Sequence, residues 1–229
     1  MIRNERAPKL FGQRTVQFPR AIPVKIGILG TGAVGQALAK GLIRAKHEVR
    51  LGSRNPAKAT APPGATTGSV KEVAAWADVV ILAVPFRAVK ETAIQAGAAL
   101  IGGKILVDAT NPISSSGDLA VGYTTSGAEE IVSFFPGALV VKAFNTVFAR
   151  SMSTGKIGTE PVTLFVAGDQ PRAKEVVLRL GRDIGFDAVD AGPLRAARLL
   201  EPMLMLMIRM GSDPKIGWDI ALRLVRRAT

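Results

Sequence analysis

The stretch "KIGILGTGAVGQALAKGL", residues 25–42, limits what this chain can fold into more than any other segment. Gly30, Gly32 and Gly35 stand in G-x-G-x-x-G spacing, directly after an apolar run and at the head of an amphipathic one. That context predicts a strand, a tight turn and a helix in succession. Gly30 makes the turn, Gly32 lets the backbone approach a ligand closely, and Gly35 lets helix and strand pack together. The amides and the positive dipole end of the helix then face an anion, as they do when such a unit holds the pyrophosphate of a dinucleotide.

From residue 24 onward the pattern alternates strand and helix, which points to a parallel sheet covered on both faces. Strands are expected over 24–30, 48–53, 78–84, 104–110, 138–144, 162–168 and 186–192, and helices over 33–46, 69–76, 86–100, 127–135 and 171–184. The Pro- and Gly-rich run "PAKATAPPGATTG" reads as a loop. After Gly192 two terminal helices are expected, "PLRAARLLEPMLMLMIRMG", kinked or divided at Pro202, and "DPKIGWDIALRLVRR". The fold class is therefore α/β, a Rossmann-type doubly wound, mostly parallel sheet with two C-terminal helices. Its expected divisions are a basic N-terminal extension (1–23), a dinucleotide-binding domain (24–192) and a helical region (193–229) that packs on the sheet and on a dimer partner.

The end of the second strand carries the cofactor preference. Where an NAD-binding chain places Asp or Glu, about 20 residues beyond the glycines, this one has Ser53 and Arg54, with Lys58 nearby. A carboxylate would repel a 2′-phosphate, whereas a hydroxyl, a guanidinium and an ammonium would hold it. NADP is the expected cofactor.

Other classes fall away on composition. The 229 residues include no cysteine and one histidine, which removes disulfides, thiolate metal sites and imidazole zinc sites, and suits a cytoplasmic location. Apolar runs such as "DVVILAVPF" are strand-sized, far short of the roughly 20 residues that span a bilayer. The net charge of +12 is spread along the chain with few aromatics, so nucleic acid is not an expected partner. Residues 1–23 carry Arg3, Arg6, Lys9, Arg14 and Arg20 against Glu5 and lack the apolar core of a secretory signal.

"GTGAVGQALAKGL", "KHEVRLGSRNPAKA", "ILAVP", "DATNP", "VKAFNT" and "DAGPLRAARLLEP" occur in this order. Together they resemble the NADP oxidoreductases dependent on coenzyme F420, a family that also looks like the cytoplasmic domains of the Steap ferric reductases. The resemblance spans about residues 24–210. It implies a dimer and direct hydride exchange between NADP and a deazaflavin stacked on the nicotinamide. By position it assigns Thr31, Gly32, Ala33 and Val34 to the phosphate loop, Ser53, Arg54 and Lys58 to the 2′-phosphate, and Val84 and Ala143 to the nicotinamide end. Thr110 and Asn111 resemble the neighbouring loop at the strand ends. The chain departs from the family pattern at Phe148, where a proline is expected, and in its Met-rich terminal helix.

Hydride transfer chiefly needs two rings held face to face in a dry cleft, with the cofactor supplying the chemistry. The segments Ala83-Val84-Pro85, Thr110-Asn111 and Ala143 to Asn145 suit such a cleft, being apolar with a few neutral polar groups. Met203 and Met207 could roof it for a deazaflavin or flavin, although a Met cluster is more often core or interface. No residue is assigned as a catalytic acid or base. His47 lies at the turn before the second strand, opposite the ligand edge, and reads as structural. Lys142 lies inside an apolar strand and is expected to pair or snorkel, Asp108 to bond loop amides, and Arg195 and Arg198 to be solvated or to meet an acceptor's phosphate. The leading expectation is an NADPH-dependent oxidoreductase passing hydride to a deazaflavin or flavin. A non-catalytic NADP sensor is the alternative. A hydroxyacid or imine reductase is a third reading, disfavoured because only about 37 residues follow Gly192.

Overall fold

The computed structural model describes residues 23–100 and 102–227, so the basic extension expected over 1–23 lies almost wholly outside the described residues. Strands β1 (Lys25–Leu29), β2 (Glu48–Ser53) and β3 (Ala65–Ser69) come first, with helix α1 (Ala33–Arg44) between β1 and β2 and α2 (Val70–Trp76) after β3. Next are β4 (Val79–Leu82), α3 (Val89–Ala96), β5 (Ile105–Asp108), α4 (Gly127–Phe134) and β6 (Leu139–Lys142). A short helix α5 (Ala149–Met152) and a two-residue hairpin, β7 (Lys156–Ile157) and β8 (Glu160–Pro161), lead to β9 (Thr163–Gly168), α6 (Pro171–Ile184), β10 (Asp187–Gly192) and α7 (Ala197–Gly211).

The main sheet runs β10-β9-β6-β5-β4-β1-β2-β3. Six of its strands thus have the order 3-2-1-4-5-6 of a dinucleotide-binding sheet, all parallel. Its central strands are apolar along their length because both faces are covered. One face packs Ile26, Ile28, Leu38, Leu42 and Val177 beneath α1 and α6. The other packs Leu29, Val73, Leu82, Val89 and Ile131 beneath α2, α3 and α4. The pair β9–β10 is joined to this sheet with β9 antiparallel to β6.

All seven expected strands form. Four local features differ from the sequence reading. The Pro/Gly-rich run holds edge strand β3, paired to β2 from Val49↔Ala65 to Ser53↔Ser69. It escapes the pattern because an edge strand need not alternate apolar and polar residues, and "ATTGS" does not. Its last residue, Ser69, caps α2 in a reciprocal box with Glu72. The helix expected over 86–100 is α only across Val89–Ala96, because Gly97 has φ +55°. The second terminal helix does not form: residues 219–227 have no regular structure. That segment satisfies the start of β9 instead, the Thr163 amide donating to Leu222 O (3.0 Å) and the Leu224 amide to Thr163 Oγ1 (2.8 Å). Helix α7 runs through Pro202 without interruption.

Candidate active site

The glycine turn after β1 is built by two steric demands and one vacancy. Gly30 has φ +127°, and a Cβ there would lie 2.2 Å from Ala83 O. A Cβ on Gly35 would lie 2.1 Å from Gly30 O. Gly32 differs: its backbone is extended and a Cβ on it would meet nothing within 4 Å. Neither backbone nor neighbours demand glycine there, and the space in front of it would let a ligand's phosphates come close to the chain. Helix α1 begins at Ala33 with no side-chain cap and no acidic residue in its first turn, which leaves its end amides and dipole directed at that space.

In front of the turn lies a cleft of about 230 Å³ whose floor is Gly30, Thr31 and Gly32. Ser53 and Arg54 form the wall at the end of β2, and Ala83, Val84 and Pro85 the wall beyond β4. The sequence reading missed Val70, Ala88 and Thr92, which also face the cleft from α2 and the start of α3. They lie where a buried helix face meets an open one, and nothing in their spacing separates them from core positions. Arg54 is exposed, and among the described residues it has no carboxylate partner. Lys58 sits on the exposed turn Pro56–Lys58 and does not line the cleft. Gln36 steadies this corner by donating from Nε2 to Thr60 O (2.7 Å) and to Thr31 O (3.4 Å). A hydroxyl and an unpaired guanidinium where a carboxylate would bind NAD, beside a glycine with vacant space before it, suit a 2′-phosphorylated dinucleotide.

Beyond Pro85 the row of strand ends continues to β5 and β6, and the structure there is closed. Asp108, Lys142 and Glu201 are fully buried. Lys142 Nζ donates to Asp108 Oδ2 (2.8 Å) and to Thr110 O (2.7 Å), and it pairs with Glu201 Oε1 at 2.8 Å. Burial alone would favour the uncharged amine. The two carboxylates outweigh it and raise the Lys142 pKa above its ordinary value, so the ammonium stays charged. Asp108 Oδ1 accepts from both the amide (2.8 Å) and the hydroxyl (2.7 Å) of Thr110. Glu201 also accepts the first amides of α4, from Gly127 (2.8 Å) and Ala128 (3.1 Å). The expectations that Lys142 pairs and that Asp108 bonds a loop amide both hold. Glu201 was missed, since a glutamate inside an apolar helix signals burial only once its partners are known.

Asn111 and Asn145 are joined beside this cluster, Asn145 Nδ2 donating to Asn111 Oδ1 (3.1 Å) and Asn111 Nδ2 to Asn145 O (3.2 Å). Asn145 Nδ2 also donates to Leu200 O of α7 (3.0 Å). Ala143 and Met207 are buried and Met203 is half-buried. Ala33 and Val34 open α1, Ala33 exposed and Val34 half-buried. Arg198 is held by Glu129 through two bonds of 2.9 and 2.7 Å, while Arg195 lines a separate surface hollow with Tyr123 and Leu199. His47 is buried at the opposite edge, accepting from the Val24 amide on Nδ1 and facing Asp183.

Residues 25–112 match the family described as NADP oxidoreductase, coenzyme F420-dependent. The F420-dependent NADP reductase of Methanothermobacter marburgensis is 34% identical over 84% of this chain and 95% of its own. Metalloreductase STEAP3 of Rattus norvegicus is 34% identical over 87% of this chain, which spans only 40% of that relative's length. Among solved structures, a candidate F420-dependent NADP-reductase of Arthrobacter sp. FB24 superposes with a TM-score of 0.81 at 33% identity, over 89% of this chain and all of that one. Mycobacterium tuberculosis 3-hydroxyisobutyrate dehydrogenase, at 20% identity and a TM-score of 0.63, shares the fold. The strand order, the open space before Gly32, the basic end of β2 and these likenesses converge: the chain belongs to the family of coenzyme F420-dependent NADP oxidoreductases.

Proposed function

We propose that the protein passes a hydride directly between NADPH and a deazaflavin of the coenzyme F420 class, with a flavin as the alternative acceptor. The observation that carries this reading is that the ionisable groups at the closed end are spent on each other. All three Nζ protons of Lys142 go to Asp108, Glu201 and Thr110 O, and both carboxylates are bonded in turn. A carbonyl or imine needs a proton delivered to its heteroatom as hydride arrives, and no side chain here is free to deliver one. A deazaflavin takes hydride on a ring carbon and collects its proton from water at a ring nitrogen. Bound NADPH supplies the hydride. The chain's own work is to hold the phosphates at Gly30, Thr31 and Gly32, grip the 2′-phosphate at Ser53 and Arg54, and exclude water beside Val84.

The likeness to the Methanothermobacter reductase over nearly its whole length supports the same acceptor. The test mixes the protein with NADPH and oxidised F420, then FMN, then small imines and 2-oxoacids. Equimolar loss of NADPH and oxidised F420 is expected; turnover of imines or oxoacids with F420 inert would overturn the reading. A homodimer through the C-terminal region, in the cytoplasm, belongs to the same proposal. It is supported by the exposed apolar side chains Leu199, Leu206 and Met210 on α7. Light scattering at the monomer mass would overturn the dimer.

A further inference from the structure

We infer that Lys142 is a positioning residue for the nicotinamide half of the bound cofactor, acting through the backbone of Thr110. This rests on the NADPH reading above. The cleft runs along the strand ends from Ser53 on β2 to Pro85 after β4, and the next strand end in that line is Thr110–Asn111 after β5. The sheet ladder no longer holds the chain there. Its last backbone bond is from the Ala109 amide to Leu82 O (3.2 Å).

Beyond that point the chain is fixed by charge. Asp108 Oδ1 accepts the Thr110 amide and Lys142 Nζ donates to the Thr110 carbonyl, so the peptide planes on both sides of Thr110 are gripped by partners of one ion pair. Lys142 is itself fixed from a third direction by Glu201, which α7 supplies and the α4 amides hold. A second tether reaches the same loop, since Asn145 bonds both Asn111 and Leu200 O. Helix α7 therefore sets the Thr110–Asn111 edge at two points. An apolar side chain at 142 could pack in several ways, whereas three donors aimed at acceptors on β5, α7 and the loop allow one arrangement. Hydride transfer is sensitive to displacements of about 1 Å, so this is where such a constraint matters.

The test compares NADPH with 2′,5′-ADP, which carries the adenosine half alone, in Lys142→Met. NADPH affinity is expected to fall about tenfold while 2′,5′-ADP affinity stays within about twofold. The fluorescence of bound NADPH, which reports immobilisation of the nicotinamide ring, is expected to fall toward that of the free cofactor. Equal losses for both ligands, or no loss for either, would overturn the inference and leave the cluster a purely structural one. Should Lys142→Met not fold, Glu201→Gln decides the matter by the same ratio. It keeps an oxygen for one of the two α4 amides and removes the charge facing Lys142. A wild-type protein that binds 2′,5′-ADP but not NADPH would overturn this inference, and one that binds neither would overturn the cofactor reading beneath it.

Discussion

The two ends of the ligand edge solve opposite problems. At the glycine turn the groups that matter are left unsatisfied: Gly32 fronts empty space, the first amides of α1 have no cap, and Arg54 is exposed. At the ends of β5 and β6 the charged groups are consumed by one another and by the backbone, and Asp108, Lys142 and Glu201 have no exposure at all. Affinity for an anionic ligand would come from the first arrangement, because unmet donors gain most from a new partner. Geometry comes from the second, because a fully bonded ion cluster in a dry core has one low-energy arrangement. The contrast predicts that substitutions at the glycine turn weaken binding at little cost in stability, whereas those at the closed end cost stability first.

The largest effect is expected at the closed end. Lys142→Met leaves two carboxylates without their cation in a dry core and should cost about 3–5 kcal/mol, read as a lower urea midpoint. Arg54→Ala should leave that midpoint unchanged. It should weaken NADPH by the worth of a charged hydrogen bond, about 1.5–3 kcal/mol, while sparing NADH; equal losses for the two nucleotides would show that the guanidinium misses the 2′-phosphate. Gly32→Ala should change stability by less than about 0.5 kcal/mol, since its Cβ has room, yet it should weaken binding of NADPH measured by titration. The smallest effect is expected at Glu129. The hydrogen bonds from Arg198 hold its carboxyl below the usual carboxylate range, so the stability this pair contributes is present at neutral pH and lost as pH falls through that lowered value. Glu129→Gln should flatten this acid limb in thermal melts taken across pH.

What the sequence showed follows the same division. The glycine turn, the basic end of β2 and the succession of strands and helices were legible because each is encoded by neighbours along the chain: an apolar run, a spacing, a missing acid. Lys142 could be read as pairing or snorkelling but neither of its carboxylates could be named, since Asp108 reaches it from the neighbouring strand and Glu201 meets it only after α7 folds back over the sheet. Strand β3 was hidden by its edge position, where Thr66 and Thr67 need no apolar face. The missing final helix is the converse case. Ile220, Ala221 and Leu222 read as helical in isolation, but the unpaired amide of Thr163 offered their backbone a partner. The reversed direction of β9 had no local signal, since a strand's sequence carries its faces and not its heading.

The cluster around Lys142 has a kinetic corollary. Glu201 closes a loop of 74 residues to reach the Gly127 amide, and it can do so only when β5, β6 and α4 are already in place. A contact so remote in the chain carries a large loop-closure cost, and it is expected to form after the folding barrier. Loss of this latch should therefore hasten escape from the native state while leaving refolding speed nearly unaltered, which a chevron plot for Glu201→Gln would reveal. The helix that braces the proposed nicotinamide edge would then also govern how long each molecule lasts between unfolding events.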